Sequence, residues 1–129
     1  MSEAPEVLVD FRGLRKEFEG GFTAVKGLNF QIYKGDICGF IGPNGAGKTT
    51  TMRMLTTLEE PSSGDAFIHG LSLVHAAEEV RKKIGFMPDY YDPYEGLDVT
   101  EYLDFFAGAF KIPRSMRRKV IDNACDITG

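Results

Sequence analysis

The chain has 129 residues, 43% of them apolar and 26% charged, with a formal net charge of −4. That length suits one domain with a modest core, and the acidic balance excludes a strong electrostatic pull toward nucleic acid or anionic lipid. No apolar run reaches the length of a membrane-spanning helix, and Met1 to Glu6 is polar and acidic, unlike a secretory leader.

From the N-terminus, Val7, Val9 and Phe11 alternate with Leu8, Asp10 and Arg12, which predicts a strand over 7–12. Leu14 to Phe18 reads as a second short strand and Glu19-Gly20-Gly21 as a turn. Phe22 to Val25 and Leu28 to Tyr33 read as further strands, followed by a turn at Lys34-Gly35-Asp36. The first forty or so residues therefore predict an antiparallel β layer. It ends in Asp36 to Ile41, a short apolar run with the composition of a buried strand. Cys38 lies in that run and reads as a small buried hydrophobe. With Cys125 it makes only two cysteines, and no disulfide is expected between them.

Gly42 to Thr49 reads Gly-Pro-Asn-Gly-Ala-Gly-Lys-Thr, the G-x-x-x-x-G-K-T spacing of a phosphate-binding loop. Gly42, Gly45 and Gly47 let the backbone turn tightly against a phosphate, so that its N–H groups converge on an anion. Lys48 places a compact positive charge on the β- and γ-phosphates, and the Thr49 hydroxyl suits a Mg²⁺ ion bridging them. Thr50, Met52, Met54, Leu55 and Leu58 follow without Gly or Pro, predicting a helix to about Leu58 whose positive end faces the phosphates. The alternative is a Gly-rich turn that happens to precede Lys-Thr.

Pro61-Ser62-Ser63-Gly64 breaks that helix. Asp65 to His69 is expected as a strand, Ala76 to Lys82 as a short helix, and Ile84 to Pro88 as a strand stopped by proline. His69 and His75 stand alone, without metal-ligand spacing. Asp89 to Leu97 is a loop with three tyrosines within five residues. Asp98 and Glu101 suit a helix N-terminus. Val99, Tyr102, Leu103, Phe106 and Phe110 then share one helical face. Lys111-Ile112-Pro113 ends the helix, and Arg114 to Thr128 predicts another, with Arg114, Arg117, Arg118 and Lys119 as a solvated basic face.

Together these segments resemble the ATP-binding subunit of an ABC transporter, in its N-terminal portion only. The resemblance is carried by Leu14-Arg15-Lys16-Glu17-Phe18, by Val25 to Phe30, by Gly42 to Thr50, by Thr51-Met52-Arg53-Met54-Leu55, by Pro61-Ser62-Ser63-Gly64 and by Ile84 to Asp89. It implies an α/β fold: a partial P-loop NTPase core with an N-terminal antiparallel β layer and the start of a helical subdomain. Residues 1–41 would be mostly β layer, 42–97 the P-loop core and 98–129 the start of the helical part.

The resemblance implies ATP and Mg²⁺ as cofactors. ATP would be held by Phe18, stacked on adenine, and by Gly42, Asn44, Gly45, Ala46, Gly47, Lys48, Thr49 and Thr50, with Thr50 reaching the α-phosphate. The alternative for Phe18 is a core or edge-strand role. Metal ligands would be Thr49 and Asp89, the latter at a position where the family usually has Gln. Aspartate there keeps an oxygen for Mg²⁺ but adds negative charge near the γ-phosphate. The implied partners are a transmembrane permease subunit, docked on the loop Asp89 to Leu97, and a second ATP-binding subunit. No nucleic acid is expected. The implied place is the cytoplasmic face of a membrane, and the wording Asn-Gly-Ala-Gly-Lys-Thr-Thr resembles the exporter branch.

No apolar strand ending in Asp-Glu and no Leu-Ser-Gly-Gly-Gln follows the loop. Hydrolysis needs a carboxylate and a group that orients water, so nucleotide binding without independent hydrolysis is expected, and Gly129 reads as a truncation point. Two alternatives stay open: a soluble ABC-type ATPase of translation or DNA repair, and a non-catalytic nucleotide-binding module.

Overall fold

The computed structural model describes residues 4–90 and 94–128. The chain divides into two compact units, Met1–Met87 and Pro88–Gly129.

The first unit is built on a four-stranded antiparallel sheet of order β2-β1-β3-β4. Strand β1 spans Val7–Glu17, β2 Thr23–Tyr33, β3 Ser63–Ile68 and β4 Leu71–Ser72. Each of the two long strands joins a pair predicted from the sequence as separate. Gly13 (φ 62) and Gly27 (φ 103) lie at the joints, and the β1–β2 register slips between Arg12 and Leu14. The glycines absorb a bulge instead of ending a strand. Gly64 (φ 73) crosses β1 so closely that a Cβ would fall on the Gly13 carbonyl.

One face of the sheet carries the core. Phe11, Leu14, Val25, Ala66 and Ile68 are buried there with Met54, Leu73 and Val80 from outside the strands. Met54 lies on helix α1, Lys48–Leu55, and Val80 on helix α2, Ala77–Arg81. Helix α1 stops earlier than the sequence predicts, because Thr57 turns left-handed (φ 58) and its N–H bonds back to the Met54 carbonyl.

Two predicted strands do not form. Asp36 to Ile41 pairs with no strand among the described residues, and Ile37 and Ile41 are 101% and 97% exposed. A strand is defined by its ladder, and the sheet is completed by β1 to β4 without this segment. Cys38, expected to be buried, is exposed for the same reason. What holds the segment is Phe40, whose ring lies 6.0 Å from Phe30 and 6.5 Å from Phe11, themselves stacked at 4.2 Å. Ile84 to Pro88 likewise has no strand partner among the described residues.

The second unit holds α3, Val99–Ala109, and α4, Arg114–Thr128. Helix α3 opens with a complete capping box: Asp98 accepts from the Glu101 N–H at 2.8 Å, and Glu101 accepts from the Asp98 N–H at 3.0 Å. It closes through Lys111 in the left-handed region (φ 57), with the Ile112 N–H bonded to Ala107 and the Lys111 N–H to Gly108. This is a Schellman closure with lysine where glycine is usual. Of the predicted apolar face, Tyr102, Leu103 and Phe106 are half-buried around buried Ala107, whereas Val99 and Phe110 are exposed at the two helix ends. Arg117 is not part of a solvated basic face. It donates to the Ile112 carbonyl at 3.0 Å and pairs with Asp104 at 3.2 Å, joining the two helices. Tyr94 packs on the same helix, 5.6 Å from Phe105. Tyr91 lies outside the described residues.

Candidate functional site

The loop from Gly42 to Gly47 joins the Phe40-anchored segment to the start of α1. Its geometry depends most on Gly47, which is buried and left-handed (φ 81). A Cβ there would fall on the Ala24 carbonyl and lie 3.2 Å from the Val25 side chain, so the loop is pressed backbone to backbone against β2. Gly45 shares the left-handed conformation (φ 84) but has open space around it.

Helix α1 begins without a side-chain cap and without an acidic residue in its first turn. Its first-turn N–H groups therefore form a positive end with no carboxylate to neutralise it. Lys48 folds back over the loop and donates to the carbonyls of Gly42 at 2.6 Å and Pro43 at 2.7 Å. The Ala46 N–H bonds to the Pro43 carbonyl at 3.2 Å, closing the turn.

Three consecutive threonines divide sharply. Thr51 is buried and returns its hydroxyl to the Gly47 carbonyl at 2.8 Å. Thr49 is exposed and Thr50 half-buried. Neither of their hydroxyls is bonded to a described residue. A concavity of about 210 Å³ opens here, lined by Phe22, Ala24, Asn44, Lys48, Thr49 and Thr50 among others. Anion chemistry fits it: an ammonium, an uncapped helix start and two available hydroxyls meet around one loop. For a hard cation the chain supplies less. Among the described residues no group of three or more His, Cys, Asp or Glu is placed to hold a metal. A cation here would take the Thr49 hydroxyl and complete its shell from water and from the anion itself.

One predicted site residue of the first unit, Phe18, stands outside the loop concavity. Its ring lies beneath the Lys16 ammonium, 5.1 Å from the centroid. That ammonium is fixed by Glu59 at 2.6 Å and by the Glu60 carbonyl at 2.8 Å. Asp89 belongs to the second unit, where its carboxylate accepts from the Tyr90 N–H at 3.1 Å. The residue the sequence does not single out is Phe22, which is 59% exposed at the mouth of the concavity. Its signal was faint: an aromatic directly after Gly20-Gly21, at the same strand parity as Ala24.

No helix among the described residues is long and apolar enough to cross a membrane.

Comparison with known proteins identifies the family. The chain is 43% identical over 115 residues to ABC transporter A family member 4 of Dictyostelium discoideum, a match covering 87% of the chain and 7% of that protein. It is 33% identical over 124 residues to the probable multidrug ABC transporter ATP-binding protein YbhF of Escherichia coli, covering 96% of the chain and 21% of the relative. Among solved structures, CbiO1 of Clostridium perfringens, part of the ABC transporter complex CbiONQ, superposes with a TM-score of 0.73 at 27% identity, over 94% of this chain and 50% of that one. The chain thus spans half or less of each of these proteins. The fold is that of a P-loop NTPase, α/β with an antiparallel β layer. The ABC transporter family matches residues 25–126, most of the chain, and the chain belongs to that family as part of its ATP-binding domain.

Proposed function

We propose that the chain binds Mg²⁺-ATP through Gly42 to Thr50, within an ABC transporter subunit that couples ATP hydrolysis to transport across a membrane. The observation that carries this is the seating of Gly47 against Ala24 at the start of an uncapped helix. That contact holds Lys48, Thr49 and Thr50 around one anion-sized concavity. In this reading Asn44 to Thr50 supply backbone donors, Lys48 meets the β- and γ-phosphates, and Thr50 the α-phosphate. Thr49 is the chain's hydroxyl ligand to Mg²⁺. Export is the direction to which the wording of the loop points. The site works on the cytoplasmic face of the membrane, paired with a second ATP-binding subunit, and a permease subunit docks on the loop Asp89 to Leu97. Tyr90 and Tyr94, 76% and 58% exposed, offer rings with an apolar body and a wet tip, as interfaces favour.

Calorimetric titration with Mg²⁺-ATP tests the binding. Lys48→Ala is expected to weaken affinity at least about tenfold, the lower end of what hydrogen bonds to a charged group contribute. Its melting curve should stay close to the parent's, because the ammonium's partners are exposed loop carbonyls. Equal affinity in parent and variant would sink the reading.

The same titration addresses Asp89, proposed as a second contact to Mg²⁺. A carboxylate near the γ-phosphate opposes ATP unless the cation neutralises it. Asp89→Gln is therefore expected to bind ATP with less dependence on Mg²⁺. Superimposable Mg²⁺ titrations would remove Asp89 from the site.

A further inference from the structure

We propose that Thr51 is a positioning residue for the phosphate end of the nucleotide, acting through the carbonyl of Gly47. The inference rests on the nucleotide-binding reading above. It extends that reading to a side chain that lies outside the glycine-rich motif and acts only through the backbone.

Three observations carry it. First, among the described residues Thr51 is the single buried polar side chain, 3% exposed. Thr51 and Met54 are the two buried residues of α1, and on that face an apolar side chain would contribute more by burial. The Thr51 hydroxyl donates to the Gly47 carbonyl at 2.8 Å. Second, the same carbonyl accepts from the Thr51 N–H, also at 2.8 Å, so one residue holds it with two donors. Third, Gly47 is the N-cap of α1. A trans peptide sets its N–H opposite its C=O. Fixing the Gly47 carbonyl along the helix therefore also aims the Lys48 N–H, one of the first-turn donors without a partner inside the helix. On its other side Gly47 faces the Ala24 carbonyl. Strand β2 and the Thr51 hydroxyl thus clamp the loop–helix joint from two directions.

A threonine hydroxyl bonded to the carbonyl four residues back tilts that carbonyl and bends the helix. Thr56 makes such a bond to the Met52 carbonyl at 3.0 Å, at the far end of α1. At Thr51 the tilt falls on the first turn instead, whose N–H groups face the phosphates in the nucleotide-binding reading. Removing the hydroxyl leaves the residue-51 N–H on the Gly47 carbonyl, so the helix persists while the aim of its first turn is relaxed. The effect belongs to the phosphate end of the ligand. ATP and bare tripolyphosphate share that end, so both should feel it.

The test is calorimetric titration of the chain with Mg²⁺-ATP and Mg²⁺-tripolyphosphate, comparing parent, Thr51→Val and Thr51→Ser, together with their melting curves. Valine keeps the shape and removes the hydroxyl, whereas serine keeps the hydroxyl and removes the methyl. Thr51→Val is expected to bind both ligands about three- to tenfold more weakly, the range for one net hydrogen bond. It should melt no lower than the parent, because a methyl takes the place of a buried hydroxyl. Thr51→Ser should melt lower, having lost a buried methyl, and yet recover most of the affinity. Unchanged affinity in Thr51→Val would overturn the proposal. So would affinities that follow the melting temperatures, with serine weaker than valine, since Thr51 would then act only through the core. A loss confined to ATP would also overturn it, because the Gly47 joint bears on the phosphates. A parent that binds neither ligand would instead overturn the phosphate-loop reading itself, an outcome distinct from a parent that binds and a Thr51→Val that binds equally well.

Discussion

Gly47 and Ala24 meet backbone to backbone: the α-carbon of Gly47 faces the Ala24 carbonyl so closely that no side chain fits between them. This contact ties the glycine-rich loop to strand β2 and aims the first turn of α1. Gly47 is thus constrained twice, by its left-handed φ of 81 and by the carbonyl it faces.

Gly47→Ala is expected to destabilise the first unit by at least about 2 kcal/mol, since the left-handed conformation alone costs a residue with a Cβ about 1–2 kcal/mol and the clash adds to it. Gly45→Ala bears the conformational cost without the clash, because its surroundings are open, and should lose only about 1 kcal/mol. Denaturant unfolding of both variants checks the difference. Equal losses would mean that the Ala24 contact is not what requires glycine.

The capping box at the start of α3 satisfies two otherwise orphaned donors, the N–H groups of Glu101 and Asp98. Asp98→Ala is expected to cost about 1 kcal/mol. Adding Glu101→Ala should cost little more, because the two side chains act as one unit. Additive losses in a double-mutant cycle would show two independent contacts.

Acid sensitivity is expected from Asp10. Its carboxylate is held below the usual range, first by the Gln31 amide at 3.1 Å and then by the Arg12 guanidinium at 2.7 Å. The folded state therefore binds this proton less readily than the unfolded chain. Its contribution is present above the unfolded value and is lost as pH falls through the folded one, below about pH 4. Glu6 behaves in the same sense through its hydrogen bond and ion pair with Lys34. Asp10→Asn should flatten the acid limb of a stability-against-pH curve and leave a residual step from Glu6. Parallel limbs for parent and variant would contradict this.

The loop was legible because its chemistry is local. Glycines at fixed spacing, followed by Lys48 and Thr49, predict a tight turn opening a helix without reference to the rest of the chain, and that turn is what the structure has. Helix α4 and the α3 cap were legible for the same reason: caps, proline and 3.6-residue periodicity act within a few residues of one another. The strand reading at Asp36 to Ile41 failed because an apolar run specifies only that a segment seeks cover. Strand pairing depends on a neighbour far away in the chain. Joining the predicted pairs into β1 and β2 also lay beyond local reading, since Gly13 and Gly27 punctuate a sequence identically whether they end a strand or bulge it.

What the sequence determined by itself was the loop and the family: a glycine-rich turn opening a helix, in an ABC transporter ATP-binding domain. What only the tertiary structure decided was which side chains surround that loop. Phe22 stands beside it because Gly47 is seated on Ala24, and Phe18 lies beneath Lys16 because Glu59 and the Glu60 carbonyl hold that ammonium. These contacts join residues more than twenty positions apart. No local periodicity records them, because they arise only when strand and loop pack against each other.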